Sequence, residues 1–165
     1  MSVSIATLNV NGLRDVYKRC GFLNWLSRFN LDLVCLQEVH VLSSEECVSW
    51  FGQSGFTAVC SPGSNRSRGT VILFKSSLAL SSFSCDTDGR FVACNFSFRD
   101  KSFRVISIYA PNTNPDRDNF FAYVESRVDP SVQTLLCGDF NLCLIAVWIV
   151  VVRRSPTTAG KVPLR

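Results

Sequence analysis

The sequence predicts an α/β domain of packed layers, and three observations carry that expectation. Short apolar runs of strand length alternate with longer stretches whose apolar residues recur near helical spacing. Glycine and small polar residues punctuate the boundaries between them. A content of 47% hydrophobic and 12% aromatic residues in a chain of 165 is enough for one sizeable core.

Residues 3–10 read as a strand, with Asn9 and Asn11 at its far end and Gly12 breaking it. Residues 16–29 follow with Val16, Cys20, Leu23, Trp25, Leu26 and Phe29 near helical spacing, as in a helix packed on a sheet. Residues 31–36 form a short apolar run that ends in Gln37-Glu38, as a buried strand does. Ser43-Ser44-Glu45-Glu46 has the small polar caps and first-turn acids of a helix start, and that helix should end near Gly52 to Gly55. Strands are expected over 56–60, 70–74, 78–85, 90–98 and 102–109, with a hairpin link at 99–101 and an exposed loop over 61–69. Residues 115–128 predict a helix with Phe120, Phe121 and Val124 on one face. A last buried strand over 132–137 leads into Gly138-Asp139-Phe140-Asn141. No internal repeat is visible.

The net charge of +4 permits an anionic partner without arguing for one. The eight cysteines contain no Cys-x-x-Cys pair, and the single histidine, His40, leaves no Cys-Cys…His-His zinc arrangement. Cys35, Cys94 and Cys137 sit inside apolar runs, where a thiol behaves as a small hydrophobe. A reducing intracellular setting, nuclear or cytoplasmic, is the simplest account. No secretory signal opens the chain, so the sequons at Asn65 and Asn95 carry little weight.

Chemistry concentrates where apolar strands end in polar tips: Asn9 with Asn11, then Glu38, then Tyr109 with Asn112, then Asp139 with Asn141. Sites on α/β sheets gather at strand ends, because a rigid sheet fixes the tips relative to one another. Two carboxylates brought together beside a core repel and lose hydration, a cost that a cation relieves. Oxygen donors without a thiolate or imidazole cluster select a hard ion such as Mg²⁺ or Mn²⁺.

Five segments then appear in a telling order: Thr7-Leu8-Asn9-Val10-Asn11-Gly12-Leu13-Arg14; Leu36-Gln37-Glu38; Arg68-Gly69-Thr70-Val71-Ile72-Leu73-Phe74; Ile108-Tyr109-Ala110-Pro111-Asn112; and Gly138-Asp139-Phe140-Asn141. Together they resemble the ordered signatures of the endonuclease/exonuclease/phosphatase superfamily, and most of all the endonuclease domain of LINE-type (non-LTR) retrotransposons. The resemblance implies the front part of a four-layer α/β sandwich, two mostly antiparallel sheets flanked by helices, acting as a metal-dependent phosphodiesterase that nicks DNA. It implies that Glu38 holds the ion, with Asn9 and Asn11 completing or orienting its shell. Relatives often carry Asp at the Asn11 position, so Asn11 would be a weaker ligand. By the same resemblance Tyr109 contacts the scissile phosphate or the nucleophile, Asp139 orients or deprotonates the attacking water, and Asn141 hydrogen-bonds the phosphate. Asn112, Arg14 and His40 would be substrate contacts. The superfamily also holds abasic-site repair endonucleases, inositol-lipid phosphatases and deadenylases, so fold-level likeness leaves the substrate open. A non-catalytic fragment with weak nucleic-acid binding is the reading from another class. The oligomeric state is not legible.

The family continues past Gly-Asp-Phe-Asn to a closing Ser-Asp-His, whereas no residue after Asn141 is His, Asp or Glu. Instead come eleven apolar residues, Leu142 to Val152, too few for the ~20 that span a bilayer, with a buried core strand as the ordinary alternative. Codons compatible with this run, read after dropping two bases, give Val-Phe-Asp-Arg-Ser-Val-Asp-Arg-Arg-Gly, which looks like the continuation in retrotransposon relatives. The expectation is a partial domain over 1–141, an aberrant, frameshifted or mis-spliced tail over 142–165, and an inactive chain.

Overall fold

The structure, a computed structural model, describes residues 2–142. The proposed aberrant tail lies outside them, apart from Leu142. β1 (Ile5–Asn9) runs parallel to β2 (Leu33–Gln37), a pairing that needs a crossover, and α1 (Val16–Leu26) supplies it. Asp15 starts that helix, its carboxylate accepting from the Lys18 N–H at 2.7 Å. α2 (Ser44–Phe51) opens on the expected cap, with Ser43 Oγ accepting from the Glu46 N–H at 3.1 Å. β3 (Phe56–Ser61) and β4 (Thr70–Lys75) then complete a sheet in the order β1-β2-β4-β3.

β5 (Ala79–Cys85), β6 (Phe91–Phe98) and β7 (Lys101–Tyr109) form an antiparallel meander. Arg99 and Asp100 close the β6–β7 hairpin with φ of 51° and 60°, the backbone of a two-residue turn that matches strand twist. α3 (Asn114–Glu125) crosses over and returns β8 (Gln133–Asp139) parallel to β7, giving the order β5-β6-β7-β8.

Strand alternation assigns each side chain to a layer. Val34 and Leu36 of β2 face the α1/α2 side with Leu26, Cys47 and Phe51, whereas Leu33 and Cys35 face the second sheet with Val92, Cys94 and Val105. Phe91, Ala93, Ile106 and Ile108 point the other way, onto Phe120 and Val124 of α3. The chain is therefore a four-layer α/β sandwich, helices–sheet–sheet–helix, with two mixed four-stranded sheets. Both faces of β2 are covered, which explains its unbroken burial. Gln37 starts a small polar cluster between the sheets, its Nε2 donating to Ser107 Oγ at 3.1 Å and Thr7 Oγ1 at 3.2 Å.

The boundaries differ from expectation in small, explicable ways. α1 ends at Leu26 instead of residue 29, because the N–H groups of Arg28 and Phe29 reach back to Trp25 and Leu26 in tighter i→i−3 bonds. Phe29 still packs on Trp25, with ring centroids 4.7 Å apart. β8 runs on to Asp139 because the parallel register continues through Ile108↔Gly138 and Tyr109↔Asp139. No helix of the described residues is long and apolar enough to cross a membrane.

Candidate active site

The parallel pairs β1/β2 and β7/β8 send four strand ends to one place, and the polar tips meet there. Asn9 stands at the centre. Its Nδ2 donates to Glu38 Oε1 at 2.8 Å and to Asp139 Oδ2 at 2.8 Å. Its Oδ1 accepts the Asn11 N–H at 3.0 Å, which fixes the orientation of the amide. Glu38 and Asp139, from different sheets, thus share one neutral donor group, and both are only partly buried.

The backbone around this centre is unusual. Asn11, Glu38, His40, Arg68 and Asn141 all have positive φ, between 46° and 65°. Such conformations are uncommon for side-chain-bearing residues, and here they bend each chain sharply just past its strand. Gly12 N donates to Glu38 O at 2.6 Å and Val39 N to Gly69 O at 2.9 Å, so the loops continue the order of the strands beneath them. Gly138 has φ +135°, and a Cβ there would collide with the carbonyl oxygen of Ile108. Only glycine lets β8 lie close enough to β7 to present Asp139.

Tyr109 is buried at the end of β7. Burial first, and then the adjacent Glu38 carboxylate, raise its phenol above the ordinary value, while Arg90 and Asn141 pull it down. The phenol therefore keeps its proton at neutral pH and can donate a hydrogen bond. Arg90 Nη1 donates to the Tyr109 carbonyl at 3.0 Å, and its guanidinium lies over the tyrosine ring at 5.2 Å. Asn141 donates its N–H to Asp139 Oδ1 at 3.0 Å and its Nδ2 to Ala110 O at 2.6 Å. Arg117 holds the Asn141 carbonyl at 2.9 Å.

The remaining expected residues fall around this group. Asn11 is exposed at the rim, next to Asn9. Asn112 is also exposed, its carbonyl accepting from Arg117 at 3.3 Å. Arg14 Nη1 lies 3.1 Å from Glu46 Oε1 and also donates to the His40 carbonyl at 3.2 Å. His40 turns inward, with its Nε2 3.6 Å from Glu38 Oε2. Sequence reasoning missed Arg90, Arg117 and the Gln37–Ser107 contact. An arginine after Asp88-Gly89 carries no periodic signal, and a glutamine at a strand end looks solvated until a second sheet covers it.

Among the described residues no group of three His, Cys, Asp or Glu side chains gathers as a metal cluster. The donor set is instead two carboxylates and neighbouring amides. It fits a hard divalent ion: two carboxylates converge on a single neutral NH₂, and the one imidazole nitrogen beside them, His40 Nε2, sits behind Glu38.

The fold and site define the class: a four-layer α/β sandwich with two carboxylates held at adjoining strand ends. The chain belongs to the endonuclease/exonuclease/phosphatase family, whose model matches residues 6–154. It is 30% identical over 155 residues to the Transposon TX1 uncharacterized 149 kDa protein of Xenopus laevis, covering 88% of this chain and 12% of that protein. The fold is similar to D. rerio TDP2 complexed with a single-strand DNA product, with a TM-score of 0.66, 17% identity, and 86% of this chain on 61% of that one. It is also similar to an AP endonuclease from Archaeoglobus fulgidus, with a TM-score of 0.62, 22% identity, and 85% of this chain on 58% of that one. The chain thus spans a small fraction of the transposon protein and about three fifths of these two solved chains.

Proposed function

We propose that this chain carries the cation-holding half of a divalent-metal-dependent phosphodiesterase centre, of the kind that nicks DNA at a retrotransposon target site. The observation that carries the reading is the Asn9 amide, which ties Glu38 of one sheet to Asp139 of the other. Glu38 would hold Mg²⁺ or Mn²⁺, with Asn11 at its margin and Asn9 orienting the carboxylate. The ion would supply charge stabilisation on a phosphate oxygen. Asp139 faces the same space and can orient a water and take its proton. Tyr109, protonated, can donate to the phosphate, and Asn141 is placed to follow once its amide leaves Ala110. Asn112 and Arg14, on the rim, suit DNA backbone contacts.

The 30% identity to a transposon protein favours this reading over an abasic-site repair endonuclease, whose likeness is one of fold. No residue after Asn141 is His, Asp or Glu, so these 165 residues are proposed not to cleave by themselves.

Two measurements test this. Mn²⁺ binding, followed by electron paramagnetic resonance, should be present in the chain and lost in Glu38→Ala; binding indifferent to that change would sink the cation centre. Plasmid nicking with Mg²⁺, against EDTA and Asp139→Ala controls, should be absent. Metal-dependent nicking that Asp139→Ala abolishes would show the chain to be catalytically complete.

A further inference from the structure

Resting on the cation centre just described, we propose that His40 is a positioning residue: its Nε2–H holds the second oxygen of Glu38 while Asn9 holds the first. Glu38 Oε1 accepts from Asn9 at 2.8 Å, whereas Oε2 faces His40 Nε2 at 3.6 Å. That Nε2 is one of two buried side-chain nitrogens among the described residues without a hydrogen-bond partner, the other being Arg104 Nε. A buried donor left unmade is unfavourable, and the carboxylate is the acceptor in front of it. The separation exceeds hydrogen-bond length, so a small turn of the Glu38 side chain completes the contact.

The backbone that carries the imidazole is held from two sides. His40 N donates to Arg68 O at 3.0 Å and Arg14 Nη1 donates to His40 O at 3.2 Å. The ring lies against Gly12, where a Cβ would stand 2.8 Å from Nδ1. Gly12 N in turn donates to the Glu38 carbonyl at 2.6 Å. The segment that accommodates the ring is therefore the segment that anchors the Glu38 backbone. A carboxylate pinned at one oxygen can still pivot; pinned at both, it presents a fixed pair of lone pairs to a cation. Hydrogen-bonded partners of this kind behind a ligating group typically change metal affinity by roughly 10–100-fold.

His40 is the only histidine, so its ring nitrogens can be observed in the untagged chain without assignment. In mildly alkaline buffer and without metal, ¹⁵N NMR should show the Nε2–H tautomer, giving way to a mixture in Glu38→Ala. For Mn²⁺ affinity, His40→Ala should weaken binding roughly 10–100-fold. His40→Gln, whose amide nitrogen reaches a similar position to Nε2, should restore most of it, and the shorter His40→Asn should not. A merely structural role would leave Gln and Asn alike. The proposal is overturned if the tautomer ignores Glu38→Ala, if His40→Ala binds Mn²⁺ as the wild type does, or if Gln and Asn behave equally. A wild-type chain that binds no Mn²⁺ overturns the cation centre instead, and the tautomer still judges the His40–Glu38 contact.

Discussion

Asn9 and Asp139 meet across the two sheets: 130 positions apart in sequence, they are joined by a 2.8 Å hydrogen bond from the Asn9 amide. The same NH₂ group reaches Glu38, so a neutral side chain stands between two like charges. The sheets are thereby stapled at the point where the chemistry is proposed to occur.

Replacing Asn9 by Asp removes both donations and adds a third carboxylate. Hydrogen bonds to charged groups contribute about 1.5–3 kcal/mol, so Asn9→Asp should destabilise the metal-free chain by a comparable amount. Added Mn²⁺ should raise its melting temperature more than that of the wild type. Equal thermal shifts in the two proteins would argue against a cation among these residues.

Gly138→Ala forces a Cβ against the Ile108 carbonyl at a φ that alanine avoids, and should cost at least about 3 kcal/mol by urea unfolding. Gly21→Ala is the counterpart. Gly21 lies within α1 with nothing within 4 Å of a new Cβ, so the change should stabilise by about 0.5–1 kcal/mol.

Ser107→Ala takes one of the two acceptors from the buried Gln37 amide, and about 1–2 kcal/mol of stability should go with it. Gln37→Leu with Ser107→Ala should cost less than the sum of the single changes, because the orphaned donor disappears. Strict additivity in equilibrium unfolding would mean that the inter-sheet bond is not made in solution.

Burial pushes the Cys94 thiol up to about 12 from 9.0, partly offset by Arg104. A raised folded value means that stability is intact below the unfolded value and is lost as pH climbs through the folded one. The fold should therefore weaken between about pH 9 and 12 by this group's contribution, and Cys94→Ala should flatten that part of the profile. In thiol labelling of the native chain, exposed Cys20 should react early and buried Cys35 and Cys94 only on unfolding.

Every described helix and strand boundary lies within three residues of its sequence expectation. Runs of period two and near-helical spacing are separated here by glycine or clear caps, such as Ser43 before α2 and Gly12 after β1. The four-layer arrangement followed from family resemblance, since periodicity does not say which sheet covers which, whereas the gathering of the tips was already argued from apolar strands that end in polar residues. What stayed hidden depends on that covering. Gln37 became a core residue only because Ser107 lies opposite, and Arg90 matters only because Tyr109 is beneath it. His40 read as a loop contact, yet the left-handed turn at residue 40 folds its ring back onto Glu38.

The run of left-handed residues around Asn9, Glu38 and Asp139 has an evolutionary corollary. Glycine adopts those angles freely, so at positions 38, 40 and 68 the present side chains are held against local backbone preference. A random library sorted by melting temperature alone should drift towards glycine there, shedding the proposed ligand and its support before touching the sheets. Persistence of Glu38 and His40 under such sorting would mean that their side chains brace the fold more strongly than their backbones burden it.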